Sequence, residues 1–228
     1  MLQYRRLARG LAERKPGRVL DWGCGYGQVT ALLRDEGIDV IAFDYRAELE
    51  TPTIAPLERF PEISAHLSPD PVVLPFDDDS FDTVLSCGVL EHVVNPDASL
   101  EEIRRVLKPR GTFYVTNLPN RYSYTERIAR LLGLYYHGRL PDDRVYTKSS
   151  VTDLLARHGF VISELRSVHM LPLTIGGPAK LVWGVSCALE RVPIVNLVAT
   201  SLELAATADG DKGDHEAKAA RRTRSARR

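Results

Sequence analysis

Cysteine is scarce in this 228-residue chain, which holds only Cys24, Cys87 and Cys187. Three widely spaced thiols build no disulfide framework and match no zinc-ligand spacing, so no metal is expected and the cytoplasm is the expected compartment. Net charge is missing too, because 30 Lys and Arg balance 30 Asp and Glu. That balance argues against a globally basic nucleic-acid binder. Long apolar runs are absent. The two richest, 181–189 and 192–202, fall well short of the about 20 residues that span a bilayer. Arg5, Arg6 and Arg9 break up the opening residues, so no secretory leader is expected. No internal repeat is visible.

What is present is the composition of a globular domain, 44% hydrophobic and 26% charged. The length suits one domain, expected over 1–207. Residues 208–228 lose all aromatics, and 218–228 carry six basic residues and no acid, which leaves the remainder at −6. A disordered charged tail is expected there.

Periodicity predicts a helix over 1–15 and a short apolar strand over 18–21. A helix comes next over 29–36, stopped by Gly37, and then a buried strand over 38–43 ending at Asp44. The proline-rich stretch 46–69 reads as loop with a helix within 56–66. A strand over 81–87, a helix over 97–107 capped by Asp97 and a strand over 112–116 continue the alternation. A helix over 149–158, a strand over 160–167, an apolar helix over 178–191 and a strand over 197–206 complete it. Strands alternating with helices predict an α/β fold, a doubly wound and mostly parallel sheet.

The strongest local signal is Asp21-Trp22-Gly23-Cys24-Gly25-Tyr26-Gly27, a glycine turn between a buried strand and a helix. Ligands of such sheets bind outside the carboxyl ends of the strands. The order G-x-G-x-G differs from the G-x-G-x-x-G of dinucleotide sites, and no G-K-[S/T] comes after it as in a phosphate loop. Asp44, at the end of the next strand, is placed to accept the two hydroxyls of a ribose.

Taken together, four segments resemble the class I S-adenosylmethionine-dependent methyltransferases of the type 11 group, which includes the ubiquinone and menaquinone C-methyltransferases. They are VLDWGCGYG at 19–27, the strand ending in Asp44, LPFDDDSFDTVLSCGVLEHV at 74–93 and LKPRGTF at 107–113. The resemblance implies a Rossmann-like, seven-stranded methyltransferase fold with S-adenosyl-L-methionine as cofactor. It implies that Asp21, Gly23, Cys24, Gly25 and Gly27 surround the methionine part and that Asp44 holds the ribose. Asp70 corresponds to the acid that meets the adenine amino group, although Pro71 lacks the backbone donor usual at the next position. Cys87 and Gly88 end the strand beside the methionine chain. Some quinone O-methyltransferases of this fold hold a metal at E-x-x-E-H, but Gly88 stands at the first Glu position here.

The acceptor side is expected to be built from the loops beyond the strand ends. Glu91-His92 lies just past the strand over 81–87, and His92 is the candidate base for an acceptor that must lose a proton. Residues 118–147 hold five of the nine tyrosines and are expected to form a lid over the methyl-transfer site. Tyr122, Tyr124 and Tyr146 are its candidate acceptor contacts, with a brace of packed aromatics as the ordinary alternative. The expected activity is methyl transfer to a small, apolar organic acceptor such as a quinone, lipid or secondary metabolite. A cofactor-binding scaffold without turnover and an RNA methyltransferase anchored by the basic tail are the rivals. Nucleic acid is disfavoured, since the tail lacks interleaved aromatics. No obligate protein partner is evident, and the apolar stretch 178–198 leaves membrane-surface contact open as an alternative to core packing.

Overall fold

The computed structural model describes residues 2–133, 143–169, 184–186, 188–189, 192 and 198–209. The first helix, α1 (Leu2–Glu13), buries Leu7, Ala8 and Leu11. Strand β1 (Val19–Trp22) is buried throughout and leads into α2 (Gln28–Asp35). Then come β2 (Val40–Tyr45), β3 (Thr53–Pro56), β4 (Ser64–Ser68) and β5 (Phe81–Cys87). Helix α3 (Pro96–Val106) runs into the long β6 (Leu107–Pro119). After α4 (Tyr124–Leu131) and α5 (Lys148–Arg157), β7 (Phe160–Val168) and β8 (Ser201–Ala208) finish the described chain.

The eight described strands join one sheet in the order β3-β4-β2-β1-β5-β6-β8-β7. The run β4-β2-β1-β5-β6 is parallel, and β8 pairs antiparallel with both β6 and β7. The sheet is covered on both faces. Leu100, Ile103 and Val106 of α3 and Val151, Leu154 and Leu155 of α5 pack on one face, around Leu20, Trp22, Val84 and Phe113. Leu7 and Leu11 of α1 and Val29 and Leu33 of α2 pack on the other, around Val19, Leu85 and Tyr114. This is the doubly wound α/β architecture expected from the alternating elements, with one strand more than the seven anticipated.

The additional strand is β3, which pairs antiparallel with β4 at the sheet edge. The expected helix within 56–66 is corrected to a bend and turn at 57–63 that join the start of β4 to the end of β3. Three of the four β3 residues are exposed, so burial imposes no apolar pattern on that strand. The cap of α3 is corrected as well. Asn95, not Asp97, is the N-cap, accepting from the Ala98 amide at 3.1 Å with Pro96 opening the helix. Asp97 instead meets His158 at 2.8 Å, tying α3 to the end of α5. Residues 134–142 of the expected lid, most of the expected helix over 178–191, and the tail beyond 209 lie outside the described residues, as do Tyr135, Tyr136, His137 and Cys187.

Candidate functional site

Strand order reverses between β2 and β5, on either side of β1, so the crevice expected of such a sheet lies beyond the carboxyl end of β1. The glycine turn fills that position. The amides of Gly23 and Cys24 both donate to the Phe43 carbonyl at 2.9 Å, fastening the turn to β2. Gly23, Gly25 and Gly27 all have positive φ, at 74°, 53° and 82°. Two of them are also demanded by close approach. A Cβ at Gly23 would stand 2.6 Å from Val89, and one at Gly27 would stand 2.4 Å from Leu57. A Cβ at Gly25 would meet nothing within 4 Å, so this glycine faces open space. A ligand has room to lie against the backbone there.

Two acids border the turn. Asp21, 1% exposed, accepts from the Thr30 hydroxyl at 2.5 Å. Burial pushes its carboxyl up to about 6, the neighbouring charge of Asp44 adds to this, and the bonds from Thr30 oppose it. Asp44 accepts from the Tyr45 amide at 3.0 Å and lies 3.7 Å from Arg46 Nε. Burial also raises its carboxyl, against the pull of Arg46. Two partly desolvated carboxylates at the ends of adjacent strands favour a ligand that carries positive charge. This donor set fits S-adenosylmethionine, which has a sulfonium, an ammonium and a ribose diol.

The other expected cofactor residues surround the same strand ends. Asp70 lies two residues beyond β4 and is exposed. Its Oδ1 accepts from the Val72 and Val73 amides, both at 2.8 Å, so one oxygen organises the turn around Pro71. These bonds hold its carboxyl below the usual range. Cys87 ends β5 and receives the Asn117 side-chain amide at 3.4 Å. Burial raises both Cys24 and Cys87, the latter to about 12. Neither thiol is a nucleophile at neutral pH. Among the described residues, no cluster of His, Cys, Asp and Glu is arranged to hold a metal ion.

Beyond β5, Gly88 has φ +70° and donates its amide to the Thr116 carbonyl at 3.0 Å, so the β5 and β6 ends stay together. Glu91 is buried, with Oε1 3.6 Å from the Cβ position of Gly88. His92 is half-exposed. Its Nδ1 lies 2.7 Å from Asp143 Oδ1, and its Nε2 lies 3.9 Å from Glu91 Oε1. The three tyrosines differ in exposure. Tyr122 is exposed, Tyr124 is partly buried at the start of α4, and Tyr146 is buried in the main core with its hydroxyl donating to the Leu90 carbonyl at 3.4 Å. Tyr146 thus backs the loop after β5.

A cavity of ≈ 1000 Å³ runs between α1 and the antiparallel half of the sheet, past Tyr4, Tyr114 and Glu203 to Thr116 and Asn117 at the end of β6. Glu203 accepts from the Thr116 hydroxyl at 3.0 Å and from Arg166 Nε at 2.7 Å. Sequence reasoning missed Thr30, Asn117 and Asp143. Only Thr30, in the first turn after the glycines, had a local signal.

A doubly wound sheet with a glycine turn, two strand-end acids and room beside Gly25 defines the class of S-adenosylmethionine-dependent methyltransferases. The family described as "Methyltransferase domain" matches residues 3–165, and the chain belongs to it. Over 137 residues it is 34% identical to a demethylmenaquinone methyltransferase of Renibacterium salmoninarum, covering 57% of this chain and 56% of that protein. Over 166 residues it is 30% identical to a probable S-adenosylmethionine-dependent methyltransferase of Mycolicibacterium smegmatis, covering 72% and 59%. The chain therefore spans little more than half the length of these relatives. Among solved structures, the 1,6-didemethyltoxoflavin-N1-methyltransferase of Burkholderia thailandensis, with its acceptor and S-adenosylhomocysteine bound, superposes with a TM-score of 0.54 at 19% identity. That alignment covers 90% of this chain and 78% of the other. Among the described residues no helix is long and apolar enough to cross a membrane.

Proposed function

We propose that the chain transfers a methyl group from S-adenosylmethionine to a small, largely apolar organic acceptor held over the ends of β5 and β6. The observation that carries this reading is the pairing of Asp21 and Asp44 around a glycine turn with open space at Gly25. When bound, the cofactor supplies an electrophilic methyl on a positive sulfur. Asp44 accepts the ribose hydroxyls. Asp21 orders the turn through Thr30 and adds negative field beneath a cationic ligand. Gly23, Cys24, Gly25 and Gly27 present backbone to the methionine part, with Cys87 beside it. Asp70 flanks the adenine side.

The chain's remaining work is to orient the acceptor, exclude water and take a proton from it. His92 is the residue for the last task, because it stands beside Glu91 just beyond Gly88. Tyr122 and Tyr124 are assigned to the acceptor side. The apolar class is supported by relatives named demethylmenaquinone methyltransferase. The test has two arms. Calorimetry should detect S-adenosylhomocysteine and not NAD. Labelled methyl from S-adenosylmethionine, supplied with a cell extract, should enter an organic-soluble product identifiable by mass. NAD binding without S-adenosylhomocysteine binding overturns the cofactor reading, and label in RNA alone overturns the acceptor reading.

A further inference from the structure

The loop after β5 is gripped from the far side by residues 143–146. The Arg144 amide donates to the Glu91 carbonyl at 2.9 Å, and the Arg144 guanidinium donates to the carbonyls of Val93 and Val94. At the head of this segment, Asp143 Oδ1 meets His92 Nδ1 at 2.7 Å. The two side chains differ sharply in exposure, 7% for Asp143 against 44% for His92. A nearly buried carboxylate therefore holds one edge of a half-exposed ring. On the other edge, Nε2 stands 3.9 Å from Glu91 Oε1, beyond hydrogen-bond distance.

We infer that Asp143 is a positioning residue for His92. It accepts the Nδ1–H, so the neutral imidazole carries its lone pair on Nε2, toward the acceptor side of Gly88. When an acceptor O–H or N–H breaks, the proton passes to Nε2 and the electron pair stays on the acceptor. The imidazolium then lies between Asp143 and Glu91, which stabilise its charge, while the Arg144 guanidinium is engaged by the two loop carbonyls. Serine-hydrolase triads use a carboxylate on imidazole Nδ1 in the same way, fixing tautomer and ring orientation together. The inference rests on the proposed role of His92 as acceptor base.

The test uses the full chain with Asp143→Asn and Asp143→Glu. Nitrogen-15 spectra of the neutral His92 ring should show Nδ1 protonated and Nε2 bare. A ring protonated on Nε2 overturns the inference, whatever the enzyme does. With S-adenosylmethionine and a cell extract, Asp143→Asn should slow labelled-methyl transfer by about tenfold or more. It should leave S-adenosylhomocysteine affinity within about twofold and keep the melting temperature. Asp143→Glu should recover part of the rate. An unchanged rate in Asp143→Asn overturns the positioning role. Loss of S-adenosylhomocysteine binding in the unaltered chain is a separate failure, that of the methyltransferase reading itself.

Discussion

Thr30 Oγ1 donates to Asp21 Oδ2 at 2.5 Å, joining the end of β1 to the first turn of α2 across the base of the glycine loop. Thr30 and Asp21 are both buried, at 0% and 1% exposure, so water does not replace this bond when it is lost. The arrangement keeps a reluctant carboxylate in the fold.

Burial holds Asp21 at about 6, against about 3.9 in an unfolded chain. Between these values the folded state binds more protons, so stability falls as pH rises from about 4 to about 6. Asp21→Asn should remove this slope and melt no lower than the parent at pH 7, since a separation of this size corresponds to about 3 kcal/mol. S-adenosylhomocysteine should bind the variant more weakly. For the parent, affinity should decline as pH drops through about 6. Melting and calorimetry across pH 5–8 measure both.

Thr30→Val removes the donor and leaves a buried carboxylate less well satisfied. A stability loss of about 1–3 kcal/mol is expected in urea titration at pH 7. It should shrink at pH 5, where Asp21 is protonated.

Asp44→Ala withdraws the charged acceptor from the ribose. Hydrogen bonds to charged groups contribute about 1.5–3 kcal/mol, so calorimetry should show cofactor affinity falling roughly ten- to a hundredfold. Because the Asp44 carboxyl is raised by burial in the free protein, the melting temperature without ligand should not fall.

Gly23→Ala meets two penalties, φ of +74° and Val89 at 2.6 Å. Left-handed backbone alone costs about 1–2 kcal/mol, and the contact adds to it. The chemical-denaturation midpoint should fall, and S-adenosylhomocysteine binding should fall with it. Gly25→Ala, with open space around its Cβ, should lose binding with a smaller loss of stability.

Tyr146 separates a core role from an acceptor role. Its hydroxyl bond to Leu90 is long at 3.4 Å, so Tyr146→Phe should change stability by about 1 kcal/mol or less. Tyr146→Ala opens the core and should cost about 3–5 kcal/mol. Methyl transfer in Tyr146→Phe should match the parent, and a tenfold loss would return the hydroxyl to the acceptor site.

The glycine turn between β1 and α2 and the acid at the end of β2 were legible because their signals are local. A buried strand, a glycine turn and a strand-end acid are contiguous patterns, and Asp21 and Asp44 stand at the ends of β1 and β2. The edge of the sheet was not legible. Thr53–Pro56 is short and mostly exposed, so it carries neither alternation nor an apolar run. Asn95 was passed over as a cap because Asp97 is equally suited by type, and only the Pro96 backbone favours the earlier position. Asp143 had no local signal at all. Its partner is 51 positions away, and a carboxylate in a loop reads as solvated until the fold sets it against His92.

The antiparallel insertion of β8 carries a further consequence, for synthesis. Strand β8 lies between β6 and β7, although it comes after both in the chain. As the polypeptide leaves the ribosome, Leu107–Pro119 is complete some eighty residues before Ser201–Ala208 arrives to pair with it. Throughout that interval the outer edge of β6 offers unpaired backbone beside Phe113 and Val115, a template for any other extended segment. The chain is therefore most exposed to misassembly in the interval before Ser201–Ala208 has been made. Truncation before residue 201 should yield aggregates, although every residue of the glycine turn and both of its acids would still be present.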